Sequence, residues 1–295
     1  MHVHEFDCFG EKPGEGNSAL VVEEGNGNPG WRRAFARERG LTCVFVDAVD
    51  GQLGAQLSAQ LNAQIGAQAD VSGDAPEGEP GIVAVLDYVY PHMRSPLCVH
   101  ATLAAAQLLF ERHGSSAPLA VKTAMHGQVL VLSRDGENVF VRLTRQEAPA
   151  LELDTALPLR LLAAPDLELA SAPRVLSVGS PKLLLEVADV DTLYSLQPDL
   201  ALIHVWGRNA GVNGCYVWCR TGEGEVEGRN FNHLEPALED SATGVAAGAL
   251  TLLLGQGLSV RQGRATGQAC LIRTAIEGDA VLVGGLVSRN ASPVA

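Results

Sequence analysis

Apolar and polar residues alternate with a period of two in several stretches, and each of these reads as a strand. They are His2–Phe6, Ala19–Glu23, Thr42–Val46 and Ile82–Tyr90 near the start of the chain. From Pro118 onward strands follow in succession at Ala120–Ala124, Gln128–Ser133 and Asn138–Arg145, divided by turns at His126-Gly127 and Asp135-Gly136. Later candidates are Arg174–Val178, Leu202–Trp206, Asn213–Arg220, Ala269–Glu277 and Ala280–Val287. Helical spacing marks Trp31–Arg39, which stops at Gly40, and a short segment near Val190–Leu196. Between residues 52 and 68, Gln recurs every four residues beside Leu53, Leu57, Leu61 and Ile65. This tetrad predicts a surface helix packed on its own domain, with an oligomer contact as the functional alternative. Gly, Pro and acidic residues make 72–80 a loop.

Two helices differ from the rest. Ala101–Arg112 and Thr243–Leu254 carry Ala and Leu on nearly every face, so each is expected inside a domain rather than on a surface. Both follow a short polar segment, about 140 residues apart, which is a weak internal echo. A chain of 295 residues exceeds what one core usually serves, so two domains are expected. The fold class is then α+β, with two strand-rich halves each enclosing one apolar helix.

Charge and cysteine content narrow the partners. Lys and Arg number 21 against 34 Asp and Glu, a net charge of −13, and no basic patch interrupts it. Such a surface repels phosphate backbones and anionic lipid, so neither nucleic acid nor membrane is expected as a partner. The six cysteines are scattered; only Cys215 and Cys219 are close, no other pair has metal-ligand spacing, and most read as reduced thiols of a cytoplasmic protein. No metal is expected. Gly-x-Ser-x-Gly, Gly-x-Gly-x-x-Gly after a strand and phosphate-loop motifs are missing, which leaves hydrolase and dehydrogenase readings without support.

Five short blocks, in order, resemble the phenazine-biosynthesis PhzF-like family. They are Glu15-Gly16-Asn17-Ser18-Ala19, Cys98-Val99-His100-Ala101-Thr102-Leu103, Val178-Gly179-Ser180-Pro181-Lys182-Leu183-Leu184, Glu239-Asp240-Ser241-Ala242-Thr243-Gly244 and Val281-Leu282-Val283-Gly284-Gly285. The resemblance implies the diaminopimelate-epimerase-like fold: two similar domains, each a curled, mostly antiparallel, barrel-like sheet around a central helix, with a ligand cleft between them. We expect residues 1–117, completed by 279–295, to form the first domain and 118–278 the second. It also implies a cofactor-independent isomerase or epimerase that moves a proton on a small carboxylate-bearing molecule, in a protein that is often a homodimer.

The chemistry follows from that implication. Proton abstraction beside a carboxylate builds negative charge there, so catalysis needs a base and N–H donors aimed at the anion. Helix starts at Val99–Ala101 and Ala242–Gly244 supply such donors. By resemblance His100 and Asp240 are catalytic candidates, while an Asp before a helix is also an ordinary N-cap. Asn17, Ser18, Val99, Ala101, Ser241, Thr243, Gly244 and Val245 are the substrate-binding candidates. Two departures matter. The family's catalytic glutamate is replaced by Cys43, and Val99 stands where the family has glycine. Either Cys43 or Cys98 therefore serves as a thiolate base, or the protein binds a small anion without turning it over.

Overall fold

The computed structural model describes residues 1–49, 81–114, 116–154, 156–232 and 239–290. The Gln-rich helix expected at 52–68 and the loop at 72–80 lie outside the described residues. Contacts divide the chain into two units. The first comprises Met1–Phe6, Ser18–Val141 and the chain end from Asn290; the second comprises Asp7–Asn17 and Arg142–Arg289.

The first unit is built from β1 (His2–Gly10, shared with the second unit), β2 (Asn17–Glu23), α1 (Pro29–Arg39), β3 (Thr42–Ala48), β4 (Ile82–Val89) and β5 (Arg94–Ser95). Helix α2 (Val99–His113) and the strands β6 (Leu119–Thr123), β7 (Val129–Asp135) and β8 (Asn138–Thr144) complete it. Its sheet is mixed: β2–β3 and β4–β6 run parallel, β3–β4 and β6–β7 antiparallel. Asn28 starts α1 by accepting from the Gly30 and Trp31 N–H groups, and Gly40 ends it in the left-handed conformation. One face of α1 then packs Phe35 and Ala36 onto Leu20, Val22, Cys43, Phe45 and Val89. Helix α2 lies on β3 and β4 with eleven of its fifteen residues buried, from Val99 to Phe110. Burial of a side chain such as Leu103, Leu108 or Phe110 contributes about 1.5–3 kcal/mol, which outweighs the weak amphipathicity of the helix.

The second unit contains α3 (Ala156–Leu161), β9 (Arg174–Leu176), β10 (Lys182–Glu186), α4 (Val190–Ser195), α5 (Leu200–Ala210), β11 (Cys215–Gly222), β12 (Glu225–Phe231) and β13 (Glu239–Asp240). Helix α6 (Gly244–Leu254) and the strands β14 (Ser259–Gln262), β15 (Cys270–Glu277) and β16 (Ala280–Arg289) follow. The sheet order is β16-β15-β14-β12-β11-β10-β9, with β13 added on β12. Helix α6 packs on β15, β16, β10 and β9 and buries residues on all sides. It comes close to the sheet because Gly248 has no side chain: a Cβ there would lie 2.9 Å from Val178 and 3.0 Å from Val283. Each unit is thus a mostly sheet-built body with one buried apolar helix, the α+β architecture the pattern implies.

One expectation is corrected. Leu202–Trp206 is not a strand but lies within α5, because Asp199 caps the Leu202 N–H and Gly211 ends the helix in the left-handed conformation. Burial there follows the helical turn, with Ile203 at 1% exposure and Val205 at 55%. By contacts, residues 118–141 group with the first unit, where β6 pairs with β4, and β16 groups with the second, where its Ala280–Gly284 half pairs with β15. Among the described residues, no helix is long and apolar enough to cross a membrane.

Candidate active site

The start of α2 gathers two polar side chains and a backbone N–H around one sulfur. Cys98 is the N-cap residue, in an extended conformation (φ −144°, ψ 107°) that turns its side chain back over the first helical turn. Its Sγ lies 3.3 Å from His100 Nδ1 and 3.8 Å from Nε2. Tyr90, at the end of β4, adds a hydrogen bond to the sulfur, as does the Ala101 backbone N–H. Burial works against a thiolate here, since Cys98 is only 3% exposed, but the His100 charge and these hydrogen bonds outweigh it. The net result is a thiol that ionises below its ordinary value.

The peptide behind this sulfur is held fast. The Cys98 carbonyl accepts from the Thr102 N–H at 2.9 Å and from Thr102 Oγ1 at 2.8 Å. Thr102 Oγ1 in turn lies 2.7 Å from the buried Tyr88 hydroxyl, which donates because the threonine proton is already committed. The N–H groups of Val99, His100 and Ala101 belong to the first helical turn, the electropositive end of a 15-residue helix. His100 keeps 8% exposure against 3% for Cys98, so the imidazole is the more solvent-exposed member of the pair.

The second unit repeats the device with a carboxyl group. Asp240 ends β13; its Oδ2 accepts from Thr243 Oγ1 at 2.5 Å, and its carboxylate accepts from the Ala242 and Ser241 N–H groups. Asp240 is not the N-cap; Thr243 is, and the carboxylate grips the loop that leads into α6. Burial raises the carboxyl above its ordinary value, against the pull of Thr243, of the Lys182 charge and of the two N–H donors. Gln262, from β14, accepts from the Thr243 N–H and donates to the Asp240 carbonyl, which ties the helix start to the sheet.

The remaining candidates fall as follows. Val99 and Ala101 are buried in the first turn of α2, and Gly244 is buried at the start of α6 with Val245 partly exposed beside it. The Ser241 hydroxyl is engaged with Thr266 Oγ1 at 2.8 Å. Asn17 and Ser18, both partly exposed, open β2 after Gly16, whose φ of +120° and close approach to the Cys8 carbonyl exclude a side chain.

Cys43 does not join this group. It lies in β3 with 0% exposure, in the apolar cluster under α1, and its Sγ reaches the Leu41 carbonyl at 3.5 Å. Burial pushes the thiol up to about 12, despite the Arg39 charge. A thiol in such surroundings keeps its proton at neutral pH, so the expectation of Cys43 as a thiolate base is withdrawn. Conversely, pattern reading missed Tyr90, Gln262 and the buried Lys182. A single lysine in the apolar run Lys182-Leu183-Leu184-Leu185 was the available signal.

Two sheet-built units, each with a buried helix entered through a polar loop, define the architecture of a known class of epimerases and PhzF-family proteins. A predicted epimerase of Pseudomonas aeruginosa superposes with a TM-score of 0.71 at 22% identity, covering 98% of this chain and 96% of that one. A PhzF-family phenazine biosynthesis protein of Bacillus anthracis gives a TM-score of 0.71 at 17% identity, covering 98% and 97%. At these identities the likeness establishes the fold. The sequence pattern of the phenazine biosynthesis-like family, PhzC-PhzF, matches residues 85–285, and the chain belongs to that family. The match includes Cys98, His100, Lys182 and Asp240. Among curated proteins, the uncharacterized isomerase YddE of Salmonella typhimurium is 28% identical over 187 residues, 60% of this chain and 63% of that protein. The alignment thus spans somewhat less than two thirds of the relative's length.

Proposed function

We propose that the protein is a cofactor-independent isomerase or epimerase that moves a proton on a small carboxylate-bearing metabolite. The observation that carries this reading is the Cys98–His100 pair at the N-terminus of α2, a thiol that favours its ionised form at the electropositive end of a buried helix. Family membership and the isomerase and epimerase relatives support the same class.

In this reading Cys98 Sγ takes the proton from the carbon next to the carboxylate. The electron pair moves onto the carboxylate, whose added charge the electropositive N-terminal end of α2 meets. The His100 imidazolium, 3.3 Å from Sγ and so on the same side of the substrate, then returns a proton to a neighbouring carbon. Proton transfer from Sγ to the imidazole restores the pair, and no electrons are gained or lost. Asp240, Ser241, Thr243, Gly244 and Val245, with Asn17 and Ser18, are retained as substrate-side residues by their likeness to the family motifs. The protein is proposed to act in the cytoplasm, and as a homodimer.

Small amino and hydroxy acids incubated with the protein in deuterated water test this. The expected result is deuterium at the carbon beside the carboxylate, reduced at least ~100-fold by Cys98→Ala, the scale of a lost acid–base group. Label incorporation that persists in Cys98→Ala overturns the assignment of the base. Tight binding of an acid without any exchange supports the alternative, a non-catalytic small-anion-binding homologue.

A further inference from the structure

Lys182 is fully buried, at 0% exposure, in β10. Its Nζ donates to the Asn213 carbonyl at 2.6 Å. One hydrogen bond does not offset the several kcal/mol that burial of an ammonium costs, so an opposite charge is required nearby. Strand register puts one on the same sheet face, three strands away. Leu184 pairs with Tyr216, Tyr216 with Asn230, and Asn230 with Asp240 across β10, β11, β12 and β13. Paired positions share a sheet face, and Lys182 shares that of Leu184 two residues on. Lysine, tyrosine, asparagine and aspartate thus lie on the same face, and the Lys182 and Asp240 charges act on each other.

Two members of the row lack protein partners. Neither amide atom of Asn230, at 0% exposure, nor the Tyr216 hydroxyl makes a hydrogen bond among the described residues. Leaving such groups unmet opposes folding, whereas one water with three or four polar neighbours would meet them. The other groups around Lys182 are few. Cys215 of β11 pairs with Leu183 and so lies on the opposite face, yet its charge acts on Lys182; it is a buried thiol pushed up to about 12 by desolvation. Cys270 of β15 feels Asp240 and Glu15, Arg174 of β9 is exposed, and α6 carries no titratable side chain.

We propose that Lys182 is a positioning residue for Asp240: its buried ammonium sets how readily that carboxyl group gives up and takes back a proton, with Asn230 and Tyr216 holding water in the row between them. The inference deepens the proposed function by treating Asp240 as a proton-carrying group, yet it is tested by titration rather than by turnover.

The protein labelled with 13C at aspartate carboxyl carbons, with Asp240→Asn to assign the signal, is titrated by NMR. In Lys182→Met and Lys182→Gln the Asp240 midpoint is expected to rise by about one pH unit or more, and in Lys182→Arg to stay near that of the wild type. The wild-type Asp240 signal should also show a second inflection near pH 8, where burial brings the Lys182 ammonium. That inflection needs no variant, so a failure of Lys182→Met to fold leaves the question decidable. An unmoved midpoint in the folded variants, or a wild-type signal flat around pH 8, overturns the inference. Should deuterium exchange be absent while the Asp240 midpoint responds to Lys182, the proposed function fails and this inference stands.

Discussion

Cys98 Sγ and His100 Nδ1 lie 3.3 Å apart across the first turn of α2, both on the side where the helix has N–H groups to offer. Two residues of separation and an extended N-cap produce the contact: the cap conformation swings the thiol over the turn that the imidazole begins. Neither residue alone would be notable, since each is buried. Together they form an ion pair in waiting, with the helix dipole on the side of the thiolate.

Cys98 should therefore react with iodoacetamide at a pH clearly below the ~8.5 midpoint of a free cysteine. His100→Gln removes the neighbouring charge and should raise that midpoint by about one unit or more. Mass spectrometry of peptides alkylated across a pH series measures both. A Cys98 midpoint at or above that of free cysteine in the wild type contradicts the pairing.

Cys43 should behave in the opposite way. With its thiol pushed up to about 12 and no exposed surface, it should resist alkylation in the folded protein through pH 9. Cys43→Ala should leave deuterium exchange unchanged and cost stability on the order of 1–2 kcal/mol, as removal of one buried atom from a packed cluster does. Exchange assays and urea unfolding of the variant check the two halves separately.

The parts of the fold that were legible in the sequence are those with local punctuation. Gly40, Gly127 and Gly136 all adopt positive φ where the pattern places a helix end or a turn. The two buried helices stood out because Ala and Leu leave no polar face. Strand β12 is not among the strands the pattern marks, since Glu225, Glu227, Arg229 and Asn230 leave no apolar run to read. Its burial depends on a distant partner: Arg229 Nε and Nη2 donate to the two carboxylate oxygens of Glu239 at 3.0 and 2.8 Å, while Nη1 reaches the Leu193 and Leu196 carbonyls. The misplacement of Cys43 has a related cause. Motif alignment fixes a position along the chain, but only the pairing of β3 with β2 and β4 decides that its side chain faces α1.

Gly228 is required by a tyrosine on the neighbouring strand. A Cβ at this position would lie 2.2 Å from the Tyr216 hydroxyl oxygen and 2.5 Å from Cζ. Gly228→Ala should destabilise the protein by about 1–3 kcal/mol through overpacking. Tyr216→Ala should recover part of that loss when combined with it, because the clash disappears with the ring. A double-mutant cycle by urea unfolding reads the coupling, and additive losses would contradict the close approach.

The burial of Lys182 has a consequence for stability that turnover does not enter. Burial lowers this lysine from 10.5 to about 8 in the folded protein, with Asp240 and Cys215 opposing. Between those two values the unfolded chain still binds a proton that the folded one has released. Stability then rises with pH, because the unfolded state binds more protons. Below pH 8 both states are protonated, and the full cost of the buried ammonium is felt. The wild type minus Lys182→Met difference in unfolding free energy should accordingly grow in favour of the wild type between pH 8 and pH 10, by on the order of 1–3 kcal/mol. Taking the difference cancels the titration of groups the two proteins share and that do not sense residue 182. Urea unfolding at half-unit steps of pH measures it, and a difference independent of pH would mean that the lysine is as free to hold its proton in the fold as in water.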